Sequence, residues 1–102
     1  MKIPFNTKPA GDFYEERASV LRCIGDPNCL KILDVLAKEE NPCVSDITKN
    51  MDISMSAVSH QLNKLKAMGI VETKKTGQTV CYTMTKSKNA ELVRMLLSKN
   101  VG

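Results

Sequence analysis

Residues 54–66 read SMSAVSHQLNKLK and hold the only histidine of the chain, His60. At helical spacing this stretch separates into two stripes. Met55, Val58, Leu62 and Leu65, with Met68 beyond them, recur on one side and are expected to pack inward. Ser56, Ser59, His60 and Asn63 recur on the other at i, i+3, i+4 and i+7, with Lys64 beside them and Lys66 nearby. His60 therefore faces outward, away from the row where a packed core histidine would lie. The serines around it supply no nucleophile, base and orienting carboxylate in hydrogen-bond order, so the stripe does not read as catalytic. Short hydroxyls, an imidazole and an amide flanked by lysines suit a DNA major groove. Small side chains permit close approach, His60 and Asn63 reach base edges, and the lysines meet phosphates. An exposed polar face without a partner is the plainer alternative, and the flanking sequence decides between them.

Upstream, Met51-Asp52-Ile53-Ser54 reads as a tight turn, with Asp52 of a type that tolerates left-handed backbone and Ser54 able to cap the helix. A short helix over about 44–50 precedes it, carrying Val44, Ile47 and Met51 inward. Helix, turn and capped helix is the helix-turn-helix arrangement. Before it, Asp26-Pro27 starts a helix whose Leu30, Ile32, Leu33, Val35, Leu36 and Ala37 make it central. Asp12 and Glu15 have capping-box spacing and open a first helix over about 12–24, leaving residues 1–11 as a loose arm. Downstream, Gly69 suits the left-handed stop of the 55–68 helix. Residues 70–75 and 78–84 are rich in β-branched residues and separated by Thr76-Gly77, a hairpin with Val80, Tyr82 and Met84 on one face of its second strand. Lys74, Lys75 and Gln78 surround its tip, as the basic wing of a winged helix. Ser87 caps a last helix over about 88–98, with Ala90, Val93, Leu96 and Leu97 along one side. The fold class is mainly α with a two-stranded β wing, about five helices forming one winged helix-turn-helix domain over 1–102.

Composition agrees. A chain of 102 residues with 42% apolar content holds one core and no second domain. No apolar run approaches a membrane span and MKIPFNTKPAG lacks a signal-peptide stretch, so a cytoplasmic protein with no membrane partner is expected. Residues 1–48 carry six Lys/Arg against eight Asp/Glu, whereas residues 49–102 carry nine against three. The basic half holds the opening stretch, which favours a polyanion partner. No glycine-rich phosphate cradle or nucleophile–base set points to an enzyme.

IGDPNCLKILDVL, CVSDI, ISMSAVSHQLNKLKAMGIV and GQTVCYTM together resemble the ArsR/SmtB family of winged-helix repressors over about residues 12–97. The resemblance implies a homodimer joined through its first and last helices, binding double-stranded operator DNA at an inverted repeat and released by an inducer. It places DNA contacts on Met55, Ser56, Ser59 and His60, with Asn63 and Lys64 just beyond, and dimer surface on the first helix and the Ala90/Val93/Leu97 face. A winged helix used for protein or RNA contacts is the alternative.

The inducer is less legible. Soft-metal sensors of the family carry two cysteines in the third-helix motif, where this chain has Cys43-Val44-Ser45-Asp46. The family's zinc-type site uses Asp and His on the last helix, and residues 84–98 contain neither. A thiophilic metal or metalloid ion stays open as a ligand, as does a thiol-reactive species. The four cysteines, at 23, 29, 43 and 81, are read as free thiols. Cys29 and Cys43 lie near helix N-termini, where the dipole favours a thiolate. Cys23 approaches Cys29 across the Gly-Asp-Pro corner, making Cys23, Cys29 and Cys43 the thiol-sensor candidates. As small hydrophobes they have a purely structural reading as well.

Overall fold

The Gly25-Asp26-Pro27 corner sets the course of the chain in this computed structural model, which describes residues 8–98. Helix α1 (Lys8–Ile24) ends there and α2 (Pro27–Lys38) begins. Asp26 takes extended backbone as the N-cap, and its carboxylate accepts the Asn28 N–H at 3.0 Å. Pro27 occupies the first turn, where its missing N–H has no partner to lose. The same reasoning corrects the start of α1. It begins at Lys8 rather than Asp12, with Pro9 in its first turn, so Asp12 lies within the helix and is no cap. The expected arm over 1–11 is thus helical from Lys8, and residues 1–7 lie outside the described residues.

Helix α2 buries Cys29, Ile32, Leu33 and Leu36 and touches α1, α3, α5 and the second strand. Its central place follows from an apolar girdle too wide for one neighbour to cover. Helix α3 (Val44–Thr48) is five residues long and fully buries Ile47. Its entry is held by Asp46, whose carboxylate oxygen Oδ2 accepts the Cys43 N–H and the Cys43 thiol, both at 3.0 Å. The turn into α4 (Met55–Ala67) uses no left-handed residue at Asp52; Asn41 is the non-glycine residue with positive φ among those described. Ser54 caps α4, its hydroxyl accepting the Ala57 N–H at 3.1 Å.

Val58, Leu62 and Leu65 of α4 are fully buried. Burying each such side chain stabilises the fold by roughly 1.5–3 kcal/mol. The helix stops in a Schellman closure. Ile70 N–H reaches Leu65 carbonyl at 3.0 Å, Gly69 N–H reaches Lys66 carbonyl at 3.0 Å, and Gly69 has φ +74°. Leu65 and Ile70, the apolar pair that accompanies this motif, are both fully buried.

Strands β1 (Val71–Thr76) and β2 (Thr79–Met84) pair antiparallel, with Val71 opposite Met84, Thr73 opposite Tyr82 and Lys75 opposite Val80. The inner end of this face is buried at Val71, Tyr82 and Met84, whereas Val80 lies beyond the core, exposed. The turn is Gly77-Gln78, one residue later than Thr76-Gly77. Gly77 takes φ +64° while Gln78 does not have positive φ, as a II′ hairpin requires of its two central residues. Cys43 bridges to Cys81 on the free side of β2, and Tyr82 donates its N–H to the Pro42 carbonyl at 2.9 Å.

Helix α5 (Lys88–Leu97) is capped by Ser87, which accepts the Ala90 N–H at 3.1 Å. Ala90 and Val93 are fully buried in the protomer's own core, which corrects their assignment to dimer surface. Among the described residues the large exposed apolar side chains include Met95 and Leu96 on α5 and Phe13, Tyr14 and Leu21 on α1. Asn89 is buried and fully used. Its Oδ1 accepts from Arg17 Nη1 at 2.8 Å, and its Nδ2 donates to Glu16 Oε2 at 2.9 Å and to the Met68 carbonyl at 3.4 Å.

Two consequences are measurable. A Cβ at Gly69 meets no atom within 4 Å, so Gly69→Ala costs only the left-handed backbone, about 1–2 kcal/mol in denaturant unfolding, and Gly69→Asn costs less. Asp46 is held below its ordinary 3.8, first by the Cys43 thiol and then by the Cys43 N–H. A depressed carboxyl stabilises the fold above its unfolded value and loses that contribution as pH falls through the lower folded one. Asp46→Asn should therefore melt below the parent at pH 7, and the gap should close below pH 3.8. A gap that stays constant with pH would mean the charge is not its cause.

Candidate nucleic-acid interface

Helix α4 presents its second stripe outward because the first is anchored. With Val58, Leu62 and Leu65 inside, Ser56, His60 and Asn63 are exposed and Ser59 is half-buried. Among the described residues, the side chains of Ser56, Ser59, His60 and Asn63 take no hydrogen bond within the protein. Their donors and acceptors are thus available to another molecule. Met55 is 51% exposed at the first turn, which corrects its place in the inward row and leaves it on the same outer end as Ser56. Lys64 and Lys66 are exposed in the last turn. Gln61, between the stripes, instead reaches back to the Asp26 carboxylate at 3.4 Å, tying α4 to the start of α2.

At the wing, Lys74, Lys75 and Gln78 are all exposed, Gln78 within the turn itself. Neither lysine joins an ion pair among the described residues, where the salt bridges are Lys38 to Asp34 and Arg94 to Glu91. Lys75 shares the face of Val80 and Tyr82, whereas Lys74 lies on the opposite face with Cys81. The wing tip therefore carries positive charge to either side.

The cysteines fall into two pairs. Cys23 and Cys29 are buried with their Sγ atoms 2.9 Å apart, joining the end of α1 to the first turn of α2. The Cys29 thiol hydrogen-bonds the Cys23 sulfur and draws it from 9.0 down to about 7, with burial opposing and Lys64 assisting. The same hydrogen bond, together with burial, raises Cys29. Cys43 is half-buried, with Ser45 Oγ at 3.0 Å and the Asp46 carboxylate at 3.0 Å. Its cross-strand neighbour is Cys81, on the same face. Sequence reasoning did not join these two, because no spacing along the chain links position 43 to 81; only the backbone bridge does.

These donors do not fit a resident thiophilic metal. Beside the Cys43 sulfur stand a hydroxyl and a hydrogen-bonded carboxylate, and no three of His, Cys, Asp or Glu converge among the described residues. No helix in that range is long and apolar enough to cross a membrane.

A family model described as a bacterial regulatory protein of the arsR family matches residues 26–73. The cadmium resistance transcriptional regulatory protein CadC of Listeria innocua is 36% identical over 92 residues, which cover 90% of this chain and 69% of that protein. Among solved structures, NolR from Sinorhizobium fredii matches with a TM-score of 0.73 at 28% identity, covering 93% of both chains. A homodimeric winged helix-turn-helix DNA-binding domain from Mycobacterium bovis matches with a TM-score of 0.78 at 22% identity, over 92% of this chain and 86% of that one, a likeness of fold.

Proposed function

Because the chain belongs to the arsR family of bacterial regulatory proteins, DNA-binding regulators of transcription, we propose that it is a dimeric repressor reading an inverted repeat through α4. The observation that carries this reading is the outer stripe of α4. A helix locked on one side by three fully buried side chains offers, on the other, polar groups with no partner inside the protein. Ser56, Ser59, His60 and Asn63 meet base edges in the major groove, with Met55 at the leading end. Lys64, Lys74, Lys75 and Gln78 meet the phosphate backbone and fix the register of the helix on the duplex.

The second protomer follows from the apolar side chains that the first leaves uncovered. Phe13, Tyr14 and Leu21 on α1 and Met95 and Leu96 on α5 form the contact, placing two copies of α4 about 34 Å apart along the duplex. Two-fold symmetry in the protein is then matched by an inverted repeat in the DNA. The repressor works in the cytoplasm as a binding protein, without catalysis. Of the two inducers open to it, the donor set favours a thiol-reactive species over a bound thiophilic ion.

Binding to a duplex from its own promoter region, followed by fluorescence anisotropy, tests the roles. His60→Ala should weaken the specific complex by about 1–3 kcal/mol and relax base preference at one position in each half-site. Lys75→Ala should weaken promoter and random duplexes alike and reduce the salt slope by about 1. A parent protein that binds random and promoter DNA equally would sink the sequence-specific reading.

A further inference from the structure

The thiols of Cys23 and Cys29 face each other at 2.9 Å, inside the corner that joins α1 to α2. Two uses of such a thiol pair differ in the further groups that they need. Two thiolates on one tetrahedral ion, each about 2.3 Å from it, stand roughly 3.8 Å apart, and they need further ligands. A disulfide needs about 2.05 Å, a displacement of similar size from the observed position, but one that requires no third group. The nearest carboxylate on the corner, Asp26, is already engaged by the Asn28 N–H and by Gln61.

The two sulfurs differ in access. Cys23 lines an open cleft of about 420 Å³ between α1 and α4, together with Ser19, Arg22, Lys64, Ala67 and Met68. Cys29 is fully buried behind it. Arg22 and Lys64 both line the cleft, and the Lys64 cation favours a thiolate on Cys23. Asp26 opposes it from the corner. Lys64 belongs to the DNA-reading helix, so the cleft has α1 on one side and α4 on the other.

We infer that Cys23 and Cys29 form a reversible dithiol oxidation site for hydrogen peroxide, with Cys23 as the attacking thiol and Cys29 as the resolving one. The Cys23 thiolate attacks one peroxide oxygen. An S–O bond forms, the O–O bond breaks, and the departing hydroxide takes a proton from solvent to become water. The Cys29 thiol then displaces the second oxygen from the Cys23 sulfenic acid, forming the S–S bond and releasing another water. Two thiols are oxidised and one peroxide is reduced. Closing the bond draws the corner together and shifts Asp26, which Gln61 of α4 grips. The regulatory half of this inference rests on the repressor reading above.

Hydrogen peroxide added to the reduced full-length protein should remove two of the four thiols, restored by dithiothreitol, with peptide mapping placing the bond between Cys23 and Cys29. Cys29→Ser and Cys29→Ala should each accumulate a dimedone-reactive sulfenic acid on Cys23, whereas Cys23→Ser should show none at position 29. The rate of alkylation of Cys23 should rise with a midpoint near pH 7, and a Cys43→Ser/Cys81→Ser variant should react like the parent. A disulfide mapped to Cys43 and Cys81, or four thiols unchanged by peroxide, overturns the site. Capture of both thiols by Cd2+ alone, without peroxide reactivity, overturns it in favour of metal binding. Operator affinity should fall at least tenfold on oxidation and recover on reduction. An oxidised, disulfide-bonded protein with unchanged affinity overturns the regulatory half alone, whereas a reduced protein that never binds DNA defeats the repressor reading and leaves the thiol chemistry standing.

Discussion

The carbonyl of Gly69 accepts two hydroxyls, from Thr85 at 2.6 Å and from Ser87 at 2.9 Å, while the next carbonyl, that of Ile70, accepts the Thr85 N–H at 2.9 Å. One peptide thus fixes the end of α4, the departure of β1 and the return of the chain into α5. Its left-handed backbone turns the carbonyl outward to where both hydroxyls wait. This junction helps to aim the wing, together with the Cys43 bridge to Cys81 and the Tyr82 N–H bond to the Pro42 carbonyl on the outer side of β2. Arg94 locks the far side by donating to the Thr85 carbonyl at 2.9 Å. The angle between α4 and the wing is therefore set in part by backbone carbonyls and short hydroxyls, which have few alternative geometries.

A second polar joint lies one turn away. Asn89 spends its amide on α1, through Arg17 and Glu16, and on the last residue of the α4 stop, through the Met68 carbonyl. Burying an amide is costly unless its groups are paired, and among the described residues no buried side-chain nitrogen or oxygen lacks a partner. The requirement is geometric as well as energetic. An apolar side chain at this position would tolerate several placements of α5, whereas the amide tolerates the one that satisfies all of its partners.

The parts of this fold that were legible from the residues are those decided within a turn of chain. Asp26 with Pro27, Ser54, Ser87 and Gly69 mark helix ends through bonds to their own neighbours, and each is found where its chemistry put it. The two stripes of α4 were likewise legible, because helical phase alone separates Val58, Leu62 and Leu65 from Ser56, His60 and Asn63. Two local readings failed, Asp12 as a cap and Asp52 as a left-handed turn residue, and the rest of what escaped was settled at longer range. Periodicity placed Met55 with the core, but the first turn of α4 projects past it. Ala90 and Val93 had the spacing of a contact face, and which face they contact depends on how α5 docks rather than on α5 itself. The hairpin turn slipped by one residue because strand pairing, not composition, chose Gly77 as its first central position. Cys81 was passed over for the same reason, its relation to Cys43 being a matter of neighbouring strands.

Among the described residues strand β1 has a single neighbour, which leaves one of its edges open, a row of amides and carbonyls ready to pair with another chain. Glu72, Lys74 and Lys75 stand exposed along that strand. Charged side chains along an open edge discourage pairing, because a second copy would strip them of water, so the lysines proposed to meet phosphate also guard the molecule against edge-to-edge aggregation. Solubility and the proposed grip on DNA are in this way written in the same side chains. A variant tuned for weaker DNA binding by removing them would also expose an unguarded template for fibril growth.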